Sequence, residues 1–391
     1  ILGVIIQVVA GFPNNPGEVQ WITEVNKWYG LVGYGFMDLL KMLVVPLIFV
    51  SIIRVIINMK AEENLGKLTT RSILTLLGTT TIAAIVGVVV GNLFKLGVSS
   101  TIIEGTNEIR EITPVVDTLR GLLPSNPVAA MAEGNVVAVV IFAAFIGNSM
   151  KIFNASYKII TSLAMTVIKF MPYAVVALLA NTIAGRGISA IKEVVGFILA
   201  LYVSIIIVFI IHLIIIAILG LNPIIYVKNA MEPLILAFTS RSSLGTLPVT
   251  IEALTDKMGV DNGIASFVGS LGSNMGMNGC AAIYPALMAV TLANMSGTKM
   301  DVSFYGMLIV IIVIGSLGIA GLPGSATMAV SVAISGMGMG AYFPLAGGII
   351  AIDPILDMGR TMLNVNGTMV TAVAVGKSFN KVDKEIYNKD K

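Results

Sequence analysis

Asp353, Asp357, Arg360, Thr361 and Asn364 fall at i, i+4, i+7, i+8 and i+11, so a helix over this stretch puts all five on one face. Between Val302 and Gly376 there is no charged residue besides Asp353, Asp357 and Arg360. An unpartnered charge in such apolar surroundings is costly, so a stripe carrying both signs must face a solute, a partner or a wet cavity. The groups on it suit a polar solute or a charged partner. A carboxylate meets an ammonium, a planar guanidinium meets a carboxylate, and hydroxyl and amide groups fill in between.

Composition says what surrounds the stripe. Of 391 residues 56% are hydrophobic and 12% charged, against about 25% charged in soluble domains. The mean hydropathy is +0.94. With repeated apolar runs, this indicates an all-α membrane protein. The net charge of +3 is small and the basic residues lie in loops, which argues for membrane orientation and against nucleic-acid binding. One cysteine, Cys280, excludes an internal disulfide, and one histidine, His212, excludes a multi-histidine metal site.

In chain order, Ile1–Gly11 is an apolar run too short to span, read as a truncated first helix. Trp21, Trp28 and Tyr29 mark an interface before a span over Leu31–Ile57. Further spans are expected over Ile73–Leu96, Val136–Met150, Ile159–Ile183 and Val194–Leu219, with an acidic loop from Gly97 to Glu133. The lysine-rich tail, Lys377 to Lys391, predicts a cytoplasmic C-terminus and a multi-pass protein of the cell's inner membrane. His212, mid-span, suits either a proton relay or a neutral imidazole bonded to a neighbouring helix, and the second is the expectation.

The C-terminal half is interrupted in a repeating order. Hydrophobic segments break at Ala237–Pro248 and again at Gly315–Thr327, and each is followed by a span that is itself broken, at Gly272–Cys280 and at Asp353–Gly367. Asn278-Gly279 and Asn366-Gly367 mark corresponding points of this internal repeat. Irregular backbone at membrane depth is tolerated only where protein buries it or it lines a cavity. Free N–H groups at half-helix starts attract a carboxylate, and unwound carbonyls coordinate a hard cation. One Gly/Ser/Ala run would read as close helix packing. Two hairpins plus two interrupted spans point to a secondary transporter.

These segments resemble the dicarboxylate/amino-acid:cation symporters, which include archaeal aspartate and mammalian glutamate transporters. The resemblance runs from Leu40-Lys-Met-Leu-Val-Val-Pro46 through the Ser-rich tip to Asp357-Met-Gly-Arg360-Thr361. Arg241-Ser-Ser and Asn278-Gly-Cys-Ala-Ala-Ile-Tyr284-Pro look like the bacterial L-cystine symporter branch. The resemblance implies eight transmembrane helices plus two re-entrant hairpins with inverted repeats, assembled as a homotrimer that works as an elevator. Residues 1–70 and 99–185 would form the scaffold, and 71–98 with 186–391 the transport domain. Ser242 and Ser243, after Arg241, would receive a substrate carboxylate; Asp357 with Thr361 would pair with an α-amino group; Asn364 would bond the amino-acid backbone. Arg360 would meet the distal end of the substrate, beside Met277 and Cys280, under a gate containing Gly321, Leu322 and Gly324. Na⁺ would bind mainly through backbone at Asn274, Met275, Met277, Ser316, Leu317 and Ile319.

Departures from the glutamate pattern matter. Gly276-Met277-Asn278 stands where glutamate-type members carry Asn-Met-Asp, and Thr368 stands where they carry a carboxylate. Losing two anions removes expected Na⁺ ligands, so fewer coupled ions are expected. Asp353 is left a secondary role. A proton- or Na⁺-coupled glutamate, aspartate or C4-dicarboxylate carrier is the alternative, since Arg360 alone does not separate an acidic side chain from the second half of cystine. No phosphate-binding loop argues for an ATP-driven pump. Asp353 and Asp357, one turn apart on one helix, do not form the facing pair of an intramembrane aspartyl protease.

Overall fold

A computed structural model of the chain describes residues 2–11, 19–58, 63–98, 169–186, 189–319, 321–322 and 324–389, with isolated positions between 128 and 167. Helices account for the regular structure among these residues, and one isolated antiparallel bridge joins Val260 to Val382. In order they are α1 (Leu2–Val9), α2 (Gln20–Asn58), α3 (Glu63–Leu93), α4 (Met171–Arg186), α5 (Ser189–Ile218), α6 (Pro223–Ser240), α7 (Ser243–Glu252) and α8 (Asn262–Gly272). Then come α9 (Tyr284–Ser296), α10 (Val302–Gly315), α11 (Ser325–Gly336), α12 (Gly347–Ile350), α13 (Asp353–Ser378) and α14 (Lys384–Tyr387). Three helices among the described residues, Gly66–Leu93, Lys192–Ile218 and Gly279–Ser296, are long and apolar enough to cross a membrane, or up to four if a bent pair counts as one span. The expected span at Val136–Met150, apart from Val139, and most of the Gly97–Glu133 loop fall outside the described residues, whereas the span at Ile159–Ile183 is described except at a few positions before Lys169.

Local chemistry sets the breaks. Asn222 starts α6, its Oδ1 accepting from Ile224 N at 2.8 Å, with Pro223 in the first turn. Arg241 ends α6 in the left-handed region at φ 56°, and Ser242 starts α7 by accepting from Gly245 N at 3.0 Å. Two residues thus join α6 to α7, and the two helices pack on each other as a hairpin. A second hairpin pairs α10, begun by Asp301 accepting from Phe304 N at 2.9 Å, with α11, entered through Gly324 at φ 78°. A broken helix follows each hairpin. The first is α8 and α9 with residues 273–283 between them; the second is the Gly340–Ile350 segment and α13, which meet at 95°. Three of the four expected breaks are built where the sequence placed them. The fourth is not, because Asp353–Gly367 lies within the uninterrupted α13 and the chain bends just before it, at Ala351–Ile352, with Pro354 in the first turn of α13.

α13 is the axis of the C-terminal half. It packs on α3, α5, α6, α7, α8 and the π-helical turn Gly279–Ile283. At its far end Arg71 of α3 donates to Ser378 O at 2.8 Å, and Tyr387 of α14 donates to Asn222 O at 2.9 Å, tying the chain's last turns to the starts of α3 and α6. His212 is buried on α5, and its Nδ1 lies 2.8 Å from Asn366 Nδ2, while Tyr226 OH donates to Asn366 Oδ1 at 2.9 Å. The imidazole is thus held by a neighbouring helix. Replacing Asn366 with Leu leaves two buried polar groups without that partner and should destabilise the purified protein by about 1–3 kcal/mol. A thermal unfolding midpoint lowered by several degrees relative to wild type checks this; an unchanged midpoint contradicts it.

Candidate functional site

The polar stripe on α13 is buried and tightly interconnected. Asp353, Asp357, Arg360, Thr361 and Asn364 are each at most 2% exposed. Arg360 Nη2 lies 2.6 Å from Asp353 Oδ1 and 3.3 Å from Asp357 Oδ1, so both carboxylates share one guanidinium. The guanidinium carbon stands 4.0 Å from the centroid of the Tyr284 ring, a cation–π contact. Asp357 Oδ1 also accepts from Thr361 Oγ1 at 3.2 Å and from Cys280 Sγ at 3.5 Å.

Asn364 connects this cluster to the break before α9. Its Oδ1 accepts from the backbone N–H groups of Gly279 and Cys280 at 2.8 and 3.1 Å, and its Nδ2 donates to Cys280 Sγ at 3.0 Å. The two helices approach so closely that a Cβ on Gly279 would come 2.4 Å from Arg360 O. On the next turns a Cβ on Gly367 would come 2.0 Å from Asn278 Oδ1. Both Asn-Gly pairs therefore mark where the two broken helices of the repeat cross.

The tips of the two hairpins and the end of α8 form a second group. Gly321 N donates to Ser273 O at 3.0 Å, and Leu244 N donates to Gly321 O at 3.3 Å. Ser242 Oγ lies 3.5 Å from the same Gly321 carbonyl, and Ser273 Oγ lies 3.5 Å from Ser243 O. Ser242 is committed to capping α7, whereas Ser243 Oγ is buried without a protein partner. Leu322 is half-buried and Gly324 buried beside these contacts. The residues named for a cation also converge: Gly276 N donates to Ser316 O at 3.1 Å, which joins the Asn274–Met277 break to the Ser316–Ile319 turn. Met275, Met277, Ser316 and Ile319 are buried, and Leu317 is half-buried. The hydroxyls of Thr79 and Thr80 on α3 both donate to Leu76 O, at 3.0 and 2.7 Å.

Several buried polar atoms in this region have no protein hydrogen-bond partner: Ser243 Oγ, Tyr284 OH, Thr327 Oγ1, Asp353 Oδ2, and Arg360 Nε and Nη1. Native interiors leave few such groups, so this cluster is the candidate place for a polar solute. Sequence reasoning underrated two members. Asp353 lies seven residues before Arg360 on the same face, a spacing that already allowed the pairing. Tyr284 was legible only as part of a motif, because its position under Arg360 depends on how α9 crosses α13.

Comparison with known proteins identifies the family. The sodium:dicarboxylate symporter family model matches residues 1–378. The L-cystine uptake protein TcyP of Bacillus anthracis is 37% identical, covering 100% of this chain and 90% of the relative. The proteins of the same name from Bacillus licheniformis and Shouchella clausii are 36% and 38% identical, each across 94% of this chain and 86% and 85% of the relative. A membrane transporter and not an enzyme, the chain belongs to the sodium:dicarboxylate symporter family.

Proposed function

We propose that the protein imports L-cystine across the cell's inner membrane, driven by a cation gradient, with Na⁺ as the coupling ion. The observation that carries the reading is the Asp357 cluster: a buried carboxylate flanked by Thr361 and Cys280, two turns from the Asn364 amide that organises the facing backbone. In this reading Asp357 and Thr361 take the α-amino group, and Asn364 fixes the amino-acid backbone. The α-carboxylate goes to Ser243, whose hydroxyl is unpartnered at the start of α7, where the helix N-terminus adds its own attraction for an anion. Arg360 keeps Nε and Nη1 for the far half of the substrate. The proteins named for L-cystine uptake support the substrate. For Na⁺, the meeting of residues 274–277 with 316–319 offers carbonyls at two unwound segments.

The remaining parts follow the same reading. The hairpins are re-entrant, the second one gates the site, and residues 71–98 and 186–391 move as one transport domain against the scaffold of a homotrimer with its C-terminus in the cytoplasm. The test is uptake of labelled L-cystine into proteoliposomes under an inward Na⁺ gradient, competed with L-glutamate, L-aspartate and succinate. Na⁺-dependent uptake that ignores all three competitors is the expected result. Strong competition by aspartate or succinate would move the protein to the acidic-substrate branch, and full uptake with choline replacing Na⁺ would sink the Na⁺ assignment.

A further inference from the structure

We infer that Asp353 sets the charge selectivity of the site, by occupying Arg360 so that a substrate of zero net charge is preferred over an anionic one. The inference rests on the cystine-import reading and deepens it. A guanidinium in the site would by itself attract any second carboxylate, whether the side chain of an acidic amino acid or the far end of cystine. Its neighbours decide between the two. Arg360 Nη2 is 2.6 Å from Asp353 Oδ1 and 3.3 Å from Asp357 Oδ1, and all three side chains are buried. On α13, two carboxylates against one guanidinium leave this cluster one formal negative charge, with no other Asp, Glu, Lys or Arg between Val302 and Gly376.

The excess charge discriminates between substrates. Aspartate and glutamate each carry a net negative charge and succinate carries two. Each would bring that charge into a site already negative, at contact distances where the interior screens poorly. Cystine has two ammonium groups matched by two carboxylates. Its near ammonium meets Asp357, and its far half presents an ammonium and a carboxylate together to Asp353 and Arg360. Those two residues keep groups for the purpose: Asp353 Oδ2, and Arg360 Nε and Nη1, are buried without protein partners. Asp353 and Arg360 therefore form a dipole that matches an amino-acid end, where Arg360 alone would match a bare carboxylate. The Tyr284 ring, its centroid 4.0 Å from the guanidinium carbon, holds Arg360 in place by a cation–π contact.

The experiment measures inhibition of labelled L-cystine uptake by L-aspartate and succinate in proteoliposomes holding wild type, Asp353→Asn, Asp353→Ser or Asp353→Glu. The Asn and Ser variants release Arg360, and the inhibitory concentration of both anions should fall by about tenfold or more, as removal of one contact charge implies. The Glu variant should keep the wild-type pattern. Folded Asn and Ser variants with the wild-type competitor profile would overturn the inference. So would failure of both to accumulate while the Glu variant does, since Asp353 would then serve the fold. Thermal stabilisation of each purified variant by cystine and by aspartate provides the same comparison without turnover. Wild-type protein that takes up no cystine would instead refute the cystine reading itself, so the two failures are distinguishable.

Discussion

If the protein imports L-cystine as proposed, Asp357→Asn should lower its apparent affinity for L-cystine by about 100-fold or more while the protein still folds. A loss of that size corresponds to about 3 kcal/mol, the scale of breaking a buried charge pair and leaving one partner uncompensated. The amide keeps the shape and the contact with Thr361 Oγ1, 3.2 Å away in the native protein. Arg360 retains Asp353 at 2.6 Å, so the guanidinium is not stranded. What disappears is the charge assigned, in the proposed function, to an α-ammonium. Thr361→Val removes one neutral hydrogen bond to the same oxygen and should cost about 1 kcal/mol, roughly fivefold in affinity. A dicarboxylate has no ammonium to lose, so succinate recognition, if present, would be spared in Asp357→Asn. Uptake and competition assays on the two variants measure both effects. Unchanged cystine affinity in Asp357→Asn would place the amino group elsewhere.

Much of this site was legible in the sequence because it depends on spacing along one helix. Asp353, Asp357, Arg360, Thr361 and Asn364 share a face whatever the helix packs against, and the structure brings them together as a buried set. The interruptions were legible for a similar reason. Small and polar residues interrupt a helix locally, and the structure breaks at Arg241–Ser242 before α7 and at Gly324 before α11. Span ends were less sharp. α2 runs from Gln20, well before the expected start at Leu31, because Trp21 and Trp28 continue the helix toward the interface instead of ending it.

Contacts between elements were not legible. Nothing along the chain distinguishes Ser242 from Ser243, yet one caps a helix and the other keeps a free hydroxyl, a consequence of where α7 begins. The family resemblance leaves Asp353 a secondary role, bordering packing and ion relay; only side-chain geometry shows it closer to Arg360 than Asp357 is. The glycines are the clearest case. Gly279 and Gly367 could be read as breaks in a helix, but their necessity comes from the opposite helix, whose backbone or side chain fills the place of a Cβ. A sequence names the residues of such a crossing without giving the distance between them.

Gly321 tests whether the hairpin tips act as a gate. A Cβ there would come 2.3 Å from Ser273 O and 2.9 Å from Ser243 Cβ, so the contact must open in Gly321→Ala. The tip bonds that would be lost, Gly321 N to Ser273 O and Leu244 N to Gly321 O, are the ones that hold the two hairpins against the end of α8. The variant should fold, because both hairpins keep their own helix contacts, but it should not occlude its substrate. Cys280 reports this directly. It is the one cysteine of the chain, is 4% exposed, and touches Asp357 and Asn364 at the floor of the site. In wild type, a small thiol reagent should modify Cys280 slowly, and cystine should protect it further. In Gly321→Ala the rate should rise by about tenfold, the equivalent of about 1.4 kcal/mol in the opening equilibrium, and cystine should no longer protect. Net uptake should fall below a tenth of wild type. Modification that stays slow and substrate-protected in Gly321→Ala would mean that the tips adjust around the methyl group and that closure is controlled at another contact, with the Gly276 N to Ser316 O bond as the next to break.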